Sequence, residues 1–163
     1  MEIVISDTNI FIDLWNIGLL ERFCELPLSI HTTDFIIGEL KTQGVKDAIA
    51  QLHQEGKITI KTFKSNEYAE IISLQDKNLS FQDCTVLYYA LNGDYKLLTG
   101  DRNLRVIAER HGLQVSGIIY VMDELLYHDI LSKEEYITKL KALLESNHRL
   151  PTKEIMKRIE NYH

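Results

Sequence analysis

Short apolar runs alternate along the chain with longer segments whose apolar residues recur every three or four positions. Residues 3–6 read as a strand, 10–17 as a helix and Gly18 as a break; 19–26 is a further helical turn or two, ended by Pro27. Residues 28–31 form the next strand, followed by helices over 33–40 and 45–55, the latter closed by Gly56. Residues 58–62 alternate like a strand with one wetter face, 65–76 and 80–91 are helical, and 96–99 is a strand. A helix over 103–111 ends at Gly112, and 114–116 is short and β-like. Three helical segments then follow, over 118–128, 133–146 and 152–162. Strand, helix, strand repeated in this way predicts an α/β fold: a parallel sheet covered on both faces, with right-handed crossovers.

No repeat, low-complexity run or linker divides the pattern, and 163 residues suit one core without disulfides. Pro151 opens a separate last helix, which leaves open whether the tail is an appendage or part of the core. Within it Leu140, Leu143 and Leu144 make an apolar stripe, with Lys139, Lys141 and Glu145 on the remaining face; such a stripe is more often a core face than a partner site.

Composition narrows the class. Apolar residues make up 45% and charged residues 26% of the chain, as in ordinary soluble domains. No run approaches the length of a membrane span, and Met1-Glu2-Ile3 enters a strand without a basic lead-in, so a cytoplasmic protein is expected. Cys24 and Cys84 lack Cys-x-x-Cys spacing and are expected as buried, reduced thiols. The net charge of −6 argues at first against a nucleic-acid partner. Its distribution softens that: residues 1–100 hold 8 Lys/Arg against 14 Asp/Glu, while residues 101–163 hold 10 of each. An acidic cation site accounts for part of the deficit.

Candidate chemistry begins where the strands end. Strand 3–6 runs into Asp7 and strand 96–99 into Gly100-Asp101, and an open α/β sheet binds its ligands outside the carboxyl ends of its strands. Asp83 sits in Ser80-Phe81-Gln82-Asp83, which has the form of a capping box, and its helix starts at the same sheet edge because it runs antiparallel to the strand that follows. Glu39 falls four residues after Phe35 and three after Ile36, on their apolar helical face, where a carboxylate must be paired, metal-bound or protonated. Simple N-capping explains Asp7, Asp83 and Asp101 one at a time. It does not explain four acids at one edge, where like charges raise one another's pKa and a divalent cation removes the conflict. Asp34 reads as a first-turn dipole partner and Asp13 as an exposed helical acid, so both stand outside the set.

Oxygen-only ligands select a hard ion, Mg²⁺ or Mn²⁺, and the six histidines show no zinc spacing. One ion or two would activate water for attack on phosphorus and neutralise the leaving oxygen.

Asp7-Thr8-Asn9-Ile10-Phe11-Ile12-Asp13 after a first strand, Glu39 in the second crossover helix, Ser80-Phe81-Gln82-Asp83-Cys84 opening a later helix, and Leu98-Thr99-Gly100-Asp101-Arg102 after a strand together resemble the PIN domain. The order and spacing cover residues 1 to about 116, and the continuation through Ile118 and Leu126 is similar to prokaryotic members with a helical tail. The resemblance implies a Rossmann-like α/β/α sandwich, with the PIN domain over residues 1–128 and a helical C-terminal extension over 129–163. It implies a Mg²⁺- or Mn²⁺-dependent endoribonuclease acting on RNA, often a VapC-like toxin paired with an antitoxin protein, and commonly a homodimer. Carried onto this chain, Asp7, Glu39, Asp83 and Asp101 become the catalytic acids. Asp7, Asp83 and Asp101 hold the metal, and Glu39 orients or deprotonates the attacking water. Thr8, Asn9 and Thr99 stand as supporting hydroxyls and amides, and Arg102 and Arg105 flank Asp101 within reach of phosphates.

Two other classes stay open. A non-cleaving PIN-fold module would bind RNA or protein, and another acidic-pocket protein would be a phosphohydrolase or phosphoacceptor. A dehalogenase-type phosphatase wants a second aspartate where Asn9 stands, and a receiver-type domain wants a lysine at a strand end, whereas Lys96 opens its strand.

Overall fold

The computed structural model describes residues 1–162. Its elements run β1 (Glu2–Ser6), α1 (Thr8–Asn16), α2 (Leu20–Phe23), β2 (Leu28–Thr33), α3 (Asp34–Glu39), α4 (Gln43–Gln54), β3 (Ile58–Lys61) and α5 (Ser65–Ser73). They continue through α6 (Phe81–Gly93), β4 (Lys96–Leu98), α7 (Arg102–Arg110), β5 (Val115–Ser116), α8 (Ile118–Tyr127), α9 (Lys133–Ser146) and α10 (Thr152–Tyr162).

The five strands form one parallel sheet in the order β3-β2-β1-β4-β5. β1 lies in the middle, pairing Val4 with Ile30 on one side and with Lys96 on the other. Its successive side chains are buried on opposite faces, as a strand covered by helices on both sides requires. Val4 joins a core built with α1, α2, α4 and α8, whereas Ile5 joins a core built with α5, α6 and α7. The fold is thus a three-layer α/β/α sandwich.

The tail is not an outlying appendage. Tyr136, Leu140 and Leu143 of α9 and Ile155 and Ile159 of α10 belong to the same core as Val4 and Phe11. Tyr136, fully buried, donates its hydroxyl to Asp123 Oδ1 at 2.6 Å, and Arg158 of α10 grips the same carboxylate. The stripe of Leu140 and Leu143 is therefore a core face. Cys84 is buried, as expected, but Cys24 is only half-buried at the end of α2; both are free thiols. No helix among the described residues is long and apolar enough to cross a membrane.

Strand order fixes where a site can form. From β1 the chain steps outward through β2 to β3, then returns to the other side of β1 with β4 and β5. The carboxyl ends of β1 and β4 thus flank the point where the direction of winding reverses, the place where open α/β sheets leave a crevice.

Candidate metal centre

Asp7 leaves β1 in an extended conformation and caps α1, its Oδ1 accepting from Thr8 N at 2.8 Å. Asp101 leaves β4 and caps α7, its Oδ1 accepting from Asn103 N at 2.8 Å and Leu104 N at 3.2 Å. Asp83 completes a reciprocal capping box at the start of α6, accepting from Ser80 N while Ser80 Oγ accepts from Asp83 N, each at 3.0 Å. Capping and convergence are therefore compatible, because each cap uses one oxygen. Asp83 Oδ1 and Asp101 Oδ2 accept no hydrogen bond among the described residues.

Glu39 ends α3, half-buried, and its Oε2 accepts from Thr8 Oγ1 at 2.7 Å, which ties the second crossover to the residue after Asp7. The link between β1 and β4 is Thr99. Fully buried, it donates Oγ1 to Asp7 Oδ2 at 2.8 Å and accepts at the same atom from Asp101 N at 3.0 Å. Asn9 adds a second link, accepting from Gly100 N at 3.0 Å.

Electrostatics couple the four acids. Burial pushes the Asp7 carboxyl up to about 7, opposed by its hydrogen bonds from Thr99 and Thr8 and reinforced by the charges of Asp83 and Glu39. Asp83 is also raised, first by burial and then by Asp101 and Glu39, against its bond from Ser80. None of the four forms an ion pair with a basic side chain among the described residues. In the same residues no three His, Cys, Asp or Glu side chains stand in a direct metal-ligating group. The carboxylates thus share a field without forming a direct three-ligand group among the described residues. An all-oxygen donor set of this kind fits a hard ion such as Mg²⁺, which keeps several of its waters and needs only one or two direct carboxylates.

Asp13 departs from the sequence expectation. It is buried, not exposed, and Asn147 after α9 donates to both its oxygens at 3.0 and 3.2 Å. Burial raises its pKa, and the Asn147 bonds oppose the rise. The signal was present in α1, where Asp13 lies three residues after Ile10 and four before Ile17, both buried. Asp34 is exposed in the first turn of α3, as a dipole partner would be.

A family model described as DUF3368, a PIN domain, matches residues 3–163. Among solved structures, the chain is similar to a domain of a functionally unknown protein from Methanocaldococcus jannaschii DSM 2661. The identity is 20%, covering 72% of this chain and 91% of that one, with a TM-score of 0.48. It is also similar to a PilT N-terminus domain protein from the hyperthermophilic archaeon Sulfolobus solfataricus P2, at 16% identity over 77% of this chain and 94% of that one, with a TM-score of 0.46. No curated protein matches the sequence.

Proposed function

The chain belongs to the PIN-domain family, whose members are in general nucleases that use divalent metals, and from that premise we propose that it is a Mg²⁺- or Mn²⁺-dependent endoribonuclease. The observation that carries the reading is the electrostatic coupling of Asp7, Glu39, Asp83 and Asp101, none of which pairs with a basic side chain among the described residues, with Asp7 pushed up to about 7. Asp7, Asp83 and Asp101 would hold the ion, one or two of them directly and the rest through its waters. When bound, it supplies a lowered pKa to its water and neutralises charge on the leaving oxygen.

The protein's own groups divide the remaining work. Glu39 Oε2 is fixed by Thr8, which leaves Oε1 to accept a proton from the attacking water. Thr99 keeps Asp7 and the Asp101 backbone in register across two strands. Asn9 holds Gly100, and with it the turn into Asp101. For function the chain divides into a PIN unit over residues 1–128 and a helical extension over 129–163 that shares its core. The toxin role in an antitoxin-paired system and a homodimer follow from the resemblance of the motifs. A short neighbouring gene encoding a DNA-binding head and an amphipathic tail would support the toxin role.

The test is cleavage of mixed-sequence single-stranded RNA with Mn²⁺ by the wild type and by Asp101→Asn. Asparagine keeps an oxygen for the α7 cap but loses the charge, so cleavage should vanish while the fold persists. One observation favours a second reading, a non-cleaving RNA-binding module: Asp83 and Asp101 already serve as helix caps. RNA binding without cleavage by wild type, unchanged in Asp101→Asn, would establish that reading instead.

A further inference from the structure

Four of the five arginines in residues 101–163 gather beside the acidic edge. A cavity of about 740 Å³ is lined by Arg102 and Arg105 of α7, Arg149 from the loop between α9 and α10, and Arg158 of α10, together with Thr99 and Gly100. Asp123 neutralises Arg158 through three hydrogen bonds of 2.9 to 3.2 Å. Arg102, Arg105 and Arg149 make no ion pair among the described residues, and of the carboxylates lining the cavity only Glu154 is left to face them. The Arg105 guanidinium lies beside Gly117, where a Cβ would stand 3.5 Å from Arg105 Nη2, at ordinary van der Waals contact.

A second space adjoins this cavity. This space of about 610 Å³ shares Gly100, Arg102 and Arg149 with it and is lined by Asn9 and Asp101. Asp101 and the arginines Arg102 and Arg149 therefore line one space. A ligand spanning both must carry anionic groups at intervals and present one of them to a cation site.

From this we infer that the cavity of Arg102, Arg105 and Arg149 seats the phosphodiester backbone of single-stranded RNA on one side of the scissile bond, with the C-terminal extension supplying Arg149 as part of the substrate site. The inference rests on the nuclease reading for the identity of the strand as RNA. Guanidinium groups suit this task because their planar fork matches phosphate oxygens two at a time and does not deprotonate. It also resolves the charge conflict in the sequence. An acidic chain of net charge −6 binds a polyanion when arginines without ion pairs line one cavity and most of its acids lie outside it.

The test is binding of a fluorescein-labelled single-stranded RNA 12-mer in EDTA, followed by anisotropy at several salt concentrations. Arg105→Ala and Arg149→Ala should each weaken binding roughly threefold to tenfold and reduce the slope of log K against log salt by about 0.7. Arg110→Ala, on α7 but outside the cavity, should change neither. Arg105→Lys keeps the charge and should recover most of the salt slope, which separates charge from a folding defect. Affinities of Arg105→Ala and Arg149→Ala equal to that of Arg110→Ala would overturn the inference, even if the wild type cleaves RNA with Mn²⁺. Displacement of the RNA by poly-glutamate at equal charge concentration would also overturn it, in favour of an acidic protein segment. Arginine-dependent binding by a wild type that cuts nothing would support the inference and refute the nuclease reading alone.

Discussion

Replacing Asp7 by asparagine should stabilise the metal-free protein at alkaline pH and destabilise it in acid. Asp7 is 4% exposed, and its carboxyl is raised from 3.8 to about 7. Three pKa units correspond to about 4 kcal/mol. The sign follows from proton counting: between about pH 4 and pH 7 the folded state holds a proton that the unfolded state has lost. Stability from this group therefore falls as pH rises through that window and is flat above it. The asparagine side chain would be neutral throughout. Its carbonyl would accept from Thr8 N, and its amide would face Thr99 Oγ1, whose hydroxyl then loses its present acceptor, at a cost of about 1 kcal/mol. The net gain at pH 8 is thus about 2 to 3 kcal/mol, or a Tm rise of roughly 5 to 10 °C for a chain of this length. At pH 4 the variant should be about 1 kcal/mol less stable than wild type. Urea unfolding in EDTA, read by the single tryptophan, Trp15, at pH 4, 6 and 8 measures both ends. A variant destabilised equally at pH 4 and pH 8 would refute the account of Asp7 as a costly buried charge. Adding Mg²⁺ at pH 8 should stabilise the wild type and leave Asp7→Asn unchanged.

Three further outcomes follow from the packing. Asp101→Asn should unfold within about 0.5 kcal/mol of wild type, because asparagine caps a helix nearly as well as aspartate; a larger loss in urea unfolding would mean that its charge supports the fold. Leu143→Ala should cost about 2 to 5 kcal/mol in the same experiment, since Leu143 is fully buried in the main core, whereas a loose appendage would leave stability almost unmoved. Gly44→Ala should displace Trp15 and shift its emission, because a Cβ at position 44 would lie 2.6 Å from Trp15 Cζ2; an unaltered spectrum would refute that contact.

Periodicity alone located the elements. Every strand and helix expected from the pattern exists, and the segments over 133–146 and 152–162 match α9 and α10 at both ends. The poorest agreement lies in the segments over 19–26 and 65–76, where α2 and α5 are shorter. Their apolar residues continue past the last helical turn because they pack from turns: Leu26 and Leu74 touch the two cores from outside any helix. Asp7 and Asp101 were legible because a strand ending in a polar turn has few uses for a carboxylate beyond a cap or a ligand. Glu39 was legible from its apolar face, and the same reasoning applied to Ile10, Asp13 and Ile17 would have found Asp13 buried.

Periodicity says which side of an element is apolar, but not which element covers it. Only the tertiary structure set β1 beside β4, so that Thr99, 92 positions from Asp7 in sequence, bridges it to Asp101. Only it placed Asn147 on Asp13, and decided that α9 and α10 belong to the core. The arginines were visible as a count in residues 101–163, but the gathering of four of them depends on α7, the α9–α10 loop and α10 lining one cavity, a long-range arrangement for which sequence spacing has no rule.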